Sequence, residues 1–222
     1  MNRKSAINIF FDANIAEEYD RYYQTVSGRT IDRIEKRMIN DLLKGLPRNN
    51  LLEAGCGTGH WTRFFSDAGF QITATDSSEP MLQRARAKTI KNTVFEKADA
   101  SRLPYKDSQF PVVASITMLE FVNDVTRVLE EIQRVLQPGG TFLLGCLNER
   151  SELGKNREND PVFKNARFFT REEIEQMLLR FGNPEVKTGV FFSPAFELLD
   201  NTPQQATVEP AFIAAAVKNE KS

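Results

Sequence analysis

Apolar residues along this chain recur with two periods that take turns, and the alternation predicts layered helices and strands. Ile31, Ile34, Met38, Leu42 and Leu46 keep helical spacing, and Gly45 and Pro47 end that helix just before the apolar pair Leu51-Leu52. Trp61, Phe64 and Phe65 form a second helical face, closed by Gly69. A longer stripe, Val125, Val128, Leu129, Ile132, Val135 and Leu136, is stopped by Pro138-Gly139-Gly140. Between the helices, Gln71 to Thr75 and Thr93 to Ala98 read as short strands. Thr170 followed by Glu173 is a capping-box pattern, opening a helix that carries Ile174, Met177, Leu178 and Phe181. Val186 to Phe192 and Ala211 to Val217 are expected to pair as an antiparallel end to the sheet. Strands alternating with helices imply an α/β fold, a Rossmann-like, doubly wound and mostly parallel sheet covered on both faces.

The chemistry concentrates in Leu51-Leu52-Glu53-Ala54-Gly55-Cys56-Gly57-Thr58-Gly59. Gly55, Gly57 and Gly59 lack Cβ atoms, so the backbone there can take positive φ and admit a ligand to contact distance. Their G-x-G-x-G spacing differs from the G-x-G-x-x-G of dinucleotide folds, which argues against NAD and FAD. Asp76 follows the second strand about 20 residues beyond the glycines, where an acid can bind a ribose hydroxyl pair. Asp99 is a third candidate. Taken singly, the turn also reads as an ordinary strand-to-helix loop and each acid as a loop residue or helix cap. Glu53, Asp76, Asp99, Thr117 and Asn148 nevertheless all fall at or just past strand carboxyl ends, where open α/β sheets bind ligands.

Four segments, LLEAGCGTG, ITATDSSEPML, EKADASRLPYKDSQFPVV and ITMLEFVNDVTRVLEEIQRVLQPGGTFLLG, resemble in this order the class I S-adenosylmethionine-dependent methyltransferases. The likeness is to the small-molecule type that includes the ubiquinone and menaquinone C-methylases, and it covers residues 10 to 148 best. It implies a seven-stranded sheet completed by an antiparallel C-terminal hairpin, with S-adenosylmethionine as cofactor and S-adenosylhomocysteine as product. By the same resemblance Glu53 and the turn Gly55, Cys56, Gly57 and Gly59 face the methionine part. Asp76 takes both ribose hydroxyls beside Ser77, Met81 lies on the adenine, Asp99 takes its amino group, and Ala100 and Thr117 complete the cofactor contacts. The segment Phe11 to Asp20, with Tyr19, resembles the family's N-terminal lid. Arg29 is the candidate clamp for the methionine carboxylate, a surface pairing with an acid such as Asp32 being the alternative. The expected division of one domain is a helical lid (1–47), a cofactor core (48–148), and a substrate loop, last helix and terminal hairpin (149–222).

The catalytic residue is left unassigned. Methyl transfer from a sulfonium is an in-line displacement to which alignment and desolvation can supply much of the rate. His60 is the single histidine, a candidate base whose alternative is to start the helix after the turn. Many quinone-type relatives carry a histidine where this chain has Phe121, which leaves the acceptor open. Ser115-Ile116-Thr117-Met118 stands where DNA amino-methyltransferases have Asn/Asp-Pro-Pro-aromatic and cytosine C5 enzymes have Pro-Cys, and no basic-aromatic strip is present. Nucleic acid is therefore not expected as a partner. Seventeen phenylalanines, paired at Phe168-Phe169 and Phe191-Phe192, favour a small, partly apolar acceptor.

Composition narrows this further. With 222 residues, 41% of them hydrophobic, the chain supports one sizeable core. Its 29 basic and 30 acidic residues give a net charge of −1, so no overall field recruits polyanions. Cys56 and Cys146 are too few for a disulfide framework or a zinc site, no metal is expected, and the cytoplasm fits best. Met1 to Phe10 lacks the apolar run of a signal peptide, no segment is long enough to insert in a membrane, and a homodimer is compatible with the chain. Two other readings stand beside this one: a non-catalytic S-adenosylmethionine-binding sensor or partner subunit, suggested by Phe121, and an NAD-dependent oxidoreductase, opposed by the glycine spacing.

Overall fold

A computed structural model describes residues 11–199 and 208–220; the segment Met1 to Phe10, read above for a signal peptide, lies outside them. Its strands are β1 (Asn50–Ala54), β2 (Gln71–Asp76), β3 (Thr93–Lys97), β4 (Phe110–Ile116), β5 (Leu136–Leu147), β6 (Glu185–Gly189), the short β7 (Phe191–Phe192) and β8 (Leu198–Leu199), and β9 (Phe212–Lys218). Seven form one sheet in the order β3-β2-β1-β4-β5-β9-β6, while β7 and β8 pair separately. The pairs β1·β2, β1·β4, β2·β3 and β4·β5 are parallel, and β9 is antiparallel to both β5 and β6. The expected hairpin is thus present as an inserted strand: Ala215 of β9 faces Leu144 on one side and Val186 on the other.

Seven helices accompany the sheet in the described residues: α1 (Ala13–Tyr22), α2 (Val26–Leu42), α3 (His60–Asp67), α4 (Glu79–Ala87), α5 (Val125–Val135), α6 (Glu152–Lys155) and α7 (Arg171–Leu178). Strand residues alternate between two cores, which is why the central strands read as continuous apolar runs. Leu51 joins Ile39, Phe65 and Phe70 under α2 and α3, whereas the adjacent Leu52 joins Val113, Ile132 and Phe181 under α5 and α7. Each such fully buried side chain contributes roughly 1.5–3 kcal/mol.

Helix α2 starts five residues before the first apolar position of its stripe, because the Thr25 hydroxyl caps it by accepting from Gly28 N. It ends at Leu42, and Gly45 turns the chain with φ +78°. Helix α5 ends at Val135, yet Pro138-Gly139-Gly140 lies within β5, where the pairing slips between Phe110↔Leu136 and Val112↔Thr141. The Thr170/Glu173 capping box opens α7 as the spacing predicts.

Candidate active site

Past the end of β1 the chain turns through Gly55 and Gly57, with φ of +77° and +53°. A Cβ on Gly55 would lie 2.1 Å from Met118 Cγ, so glycine there lets the chain after β4 close over the turn. A Cβ on Gly57 would meet nothing within 4 Å, because that face opens on a cavity. Thr75 O accepts from both Gly55 N and Cys56 N at 2.8 Å. Asp76 then ties the turn to the next helix, accepting from Gly57 N on one oxygen and from Ser78 N on the other, each at 2.8 Å. Burial raises the Asp76 carboxyl and those backbone donors pull it back down.

The cavity holds about 1030 Å³, at the upper end of small-molecule sites and roomy enough for two ligands. On its wall lie Tyr19, Gly55, Cys56, Gly57, Asp76, Ser77, Met81, Asp99, Ala100 and Thr117, ten of the thirteen positions expected from sequence. Asp99 accepts from Ser101 N and Oγ at 2.8 Å, and Thr117 sits in the left-handed region at φ +49°, a strained position for a β-branched residue. Val190, another wall residue, shares that strain at φ +61°.

Glu53, Gly59 and Arg29 do not line it. Glu53 is buried beneath the turn, where Thr62 Oγ1 donates to it at 2.6 Å and burial pushes its carboxyl up to about 8. Gly59 caps α3 at φ +81°, and its bare Cα lets that helix approach Ile90 and Ala85. Arg29 is exposed and donates to Gln24 O. Helix α2 turns Ser27, Ile31 and Glu35 to the cavity at four-residue steps, so Arg29, two residues from Ser27 and about 200° around the helix, points away. Asp32, the alternative partner of Arg29, instead accepts from Lys36 Nζ at 2.9 Å and bonds His60 Nε2 at 2.6 Å. His60 is stacked on Tyr23 at 3.7 Å and is absent from the wall, which removes it as a base there.

Helix α1 lies over the mouth of the turn. Asp20 accepts from Thr58 Oγ1 at 2.6 Å and from Lys88 Nζ at 2.7 Å, and Ser78 Oγ donates to Phe11 O at 2.8 Å. Beyond Tyr19 the cavity continues into a chamber walled by Tyr22, Tyr23, Glu35, Trp61, Phe121, Phe163 and Phe192. The sequence pointed to Phe121 and Phe192 through the acceptor alone, and to none of the other five as site residues. The signal available was Glu35, an acid four residues after Ile31 on the buried side of an apolar stripe. A separate open cleft of about 390 Å³, lined by Arg48, Asn50, Gln71 and Pro111, lies at the amino ends of the strands, away from the strand ends where such sheets bind ligands.

The methyltransferase domain family matches residues 52–144, which span the glycine turn, Asp76, Asp99 and Thr117. A demethylmenaquinone methyltransferase of Staphylococcus aureus is 32% identical over 170 residues, 73% of this chain and 65% of its own length. The crystal structure of a Thermotoga maritima SAM-dependent methyltransferase, described as a possible histamine N-methyltransferase, superposes with a TM-score of 0.74 at 28% identity, covering 95% of this chain and 99% of that one. The chain belongs to the S-adenosylmethionine-dependent methyltransferases.

A malonyl-[acyl-carrier protein] O-methyltransferase of Pseudescherichia vulneris is 36% identical over a shorter stretch, 44% of this chain and 39% of the relative. The chain thus spans less than two thirds of the named curated relatives it matches. The cofactor of this methyltransferase is S-adenosylmethionine, and the open face of Gly57 beside Asp76 has the room and the acceptor oxygens such a ligand needs. Among the described residues no helix is long and apolar enough to cross a membrane, and no three His, Cys, Asp or Glu gather to hold a metal.

Proposed function

We propose that this methyltransferase moves a methyl group to a small, partly apolar acceptor held in the aromatic chamber, by in-line displacement. The observation that carries this reading is the continuity of one cavity from Asp76 and Asp99 to Phe121, Phe163 and Phe192. The cofactor supplies an activated methyl on sulfur, and the protein's part is to align, cover and dry the site. Asp76 binds the ribose hydroxyls, Met81 packs on the adenine, Asp99 takes its amino group, and Tyr19 with the turn surrounds the methionine end. Helix α1, held by Asp20 and Ser78, acts as the lid. Arg29 has no part in this site.

The relatives are named for demethylmenaquinone, malonyl-[acyl-carrier protein] and histamine, so family membership leaves the acceptor open. Both cysteines, Cys56 and Cys146, are buried and free, as suits a reducing cytoplasm. Calorimetry with S-adenosylmethionine and S-adenosylhomocysteine, followed by homocysteine release with a panel of small acceptors, tests the proposal. Tight binding with turnover is expected. Failure of both ligands to bind below the millimolar range sinks it, and binding with complete inertness leaves a sensor.

A further inference from the structure

The aromatic chamber holds a carboxylate that none of the described residues satisfies with a hydrogen bond. Glu35 projects from α2 into the cavity, is 6% exposed, and accepts no hydrogen bond from the described residues. A buried carboxylate without donors costs several kcal/mol, and natural sites retain one where a ligand completes it. On the same wall, Trp61 Nε1 is a second buried polar atom without a partner among the described residues. The charges of the wall are mostly of one sign. Among the described residues that line it, Glu18, Glu35, Asp76, Asp99, Asp124 and Asp160 face one cation, Lys97, which lies on β3 beside Asp76 at the cofactor end. An anionic acceptor entering the chamber would meet these carboxylates first, with Lys97 at the cofactor end and Lys36 over the Trp61 ring, 5.9 Å from its centroid, as the nearby cations.

We infer that the acceptor is a primary or secondary amine whose nitrogen is held by the carboxylate of Glu35. This rests on the methyl-transfer reading above and names the acceptor class for that same site. The surroundings suit a cation. Tyr19 and Tyr22 of α1 and Tyr23 just after it have phenols raised by burial first and further by the charge of Glu35, which places them beside it, and aromatic faces attract an ammonium. From its own helix Glu35 feels Asp32 and Lys36, and from the turn after β4 it feels Glu120. Burial, with the repulsion of Asp32, pushes the empty carboxyl up to about 8, so it readily keeps a proton at neutral pH.

That property fits the chemistry an amine requires. An ammonium has no lone pair and cannot attack a methyl group. The N–H proton passes to a Glu35 oxygen, the freed nitrogen pair forms the N–C bond, and the C–S bond breaks with its electrons staying on sulfur. The products are an N-methylammonium, neutral Glu35 and the neutral thioether, so the net single positive charge of ammonium, sulfonium and carboxylate at the start is conserved.

The test uses the protein loaded with S-adenosylhomocysteine and three ligands matched in ring and chain: phenethylamine, 2-phenylethanol and 3-phenylpropanoate. Calorimetry near neutral pH should show the amine binding about tenfold or more tighter than the other two, as one charge-assisted bond implies. Glu35→Gln should erase that preference while leaving S-adenosylhomocysteine affinity unchanged. Equal or tighter binding of the alcohol or the carboxylate by the wild-type protein overturns the inference, whatever the variant does. So does an amine preference that survives in Glu35→Gln, or failure to bind any member of a wider set of alkyl, aryl and imidazole amines. A protein that does not bind S-adenosylhomocysteine fails the earlier reading instead.

Discussion

The two ends of the cavity are built by opposite means. At the cofactor end the fixed points are backbone groups: Gly57 N and Ser78 N hold Asp76, and Thr75 O holds Gly55 and Cys56, all within a stretch of 24 residues closed by one parallel pairing. At the acceptor end the surfaces are side chains delivered from distant places, Tyr22 on α1, Glu35 on α2, Trp61 on α3, Phe121 after β4, Phe163 before α7 and Phe192 on β7. Backbone geometry changes little with side-chain replacement, whereas a chamber of side chains can be resurfaced residue by residue. The first design suits a shared ligand and the second a variable one.

Substitutions at the cofactor end should show the greatest losses. Gly57→Val would put a branched side chain into the open face at a backbone angle such residues avoid, and S-adenosylmethionine affinity should fall more than about a hundredfold while the fold survives. Normal binding by a folded variant would refute the proposed turn. Asp76→Ala should cost on the order of 1–3 kcal/mol, about tenfold to a hundredfold, because it removes the proposed ribose acceptor and also frees Gly57 N and Ser78 N. Unchanged calorimetric affinity would make Asp76 a purely structural tie.

The buried acids sharpen the contrast through pH. Glu35 and Glu53, both raised to about 8, hold protons in the folded state that they lose when unfolded above about 4.5. The folded state therefore binds more protons than the unfolded one, and the melting temperature should fall as pH rises from 5 toward 8. Glu35→Gln should flatten that slope with cofactor binding intact. Glu53→Gln should flatten it too but also loosen the turn, since Thr62 donates to Glu53. A pH-independent melting curve in the wild type would contradict the burial of both.

Smaller effects are expected at the cover. Asp20→Ala releases Thr58 and Lys88 and should weaken cofactor binding about threefold to fivefold, with faster protease cleavage near Tyr22. Unaltered cleavage would show that α1 is held by its apolar contacts. Arg29→Ala should change affinity by less than about twofold, the scale of an ordinary surface substitution. A selective loss of S-adenosylmethionine over adenosine in that variant would restore the clamp.

What the sequence made legible follows from the same contrast. That the turn, Asp76, Met81 and Asp99 share one cavity wall was readable because their spacing along the chain is dictated by backbone geometry. The capping box of α7 and the pairing of β6 with β9 were readable for local reasons as well. Arg29 was misplaced because facing the cavity depends on the rotation of α2, which Thr25 capping and packing against the sheet decide together. Glu35 went unnamed because an acid within a helical stripe looks like an exposed position until Tyr19, Tyr22 and Tyr23 fold over it. Gly59 was legible as a required glycine but for another reason, close approach to Ala85 and Ile90.

The insertion of β9 between β5 and β6 reaches beyond the site, into how the chain is made. Synthesis runs from the amino end, so β5 emerges from the ribosome some sixty-five residues before the strand that covers its open edge, Phe212–Lys218. Until then Thr141 to Leu147, an apolar run, presents unpaired N–H and C=O groups of the kind that template aggregation. The nascent protein therefore needs that edge shielded until its last strand is made, and ribosome-bound chains of graded length, extended by a carboxyl-terminal linker, should gain protease resistance in one step, when residue 218 clears the exit tunnel.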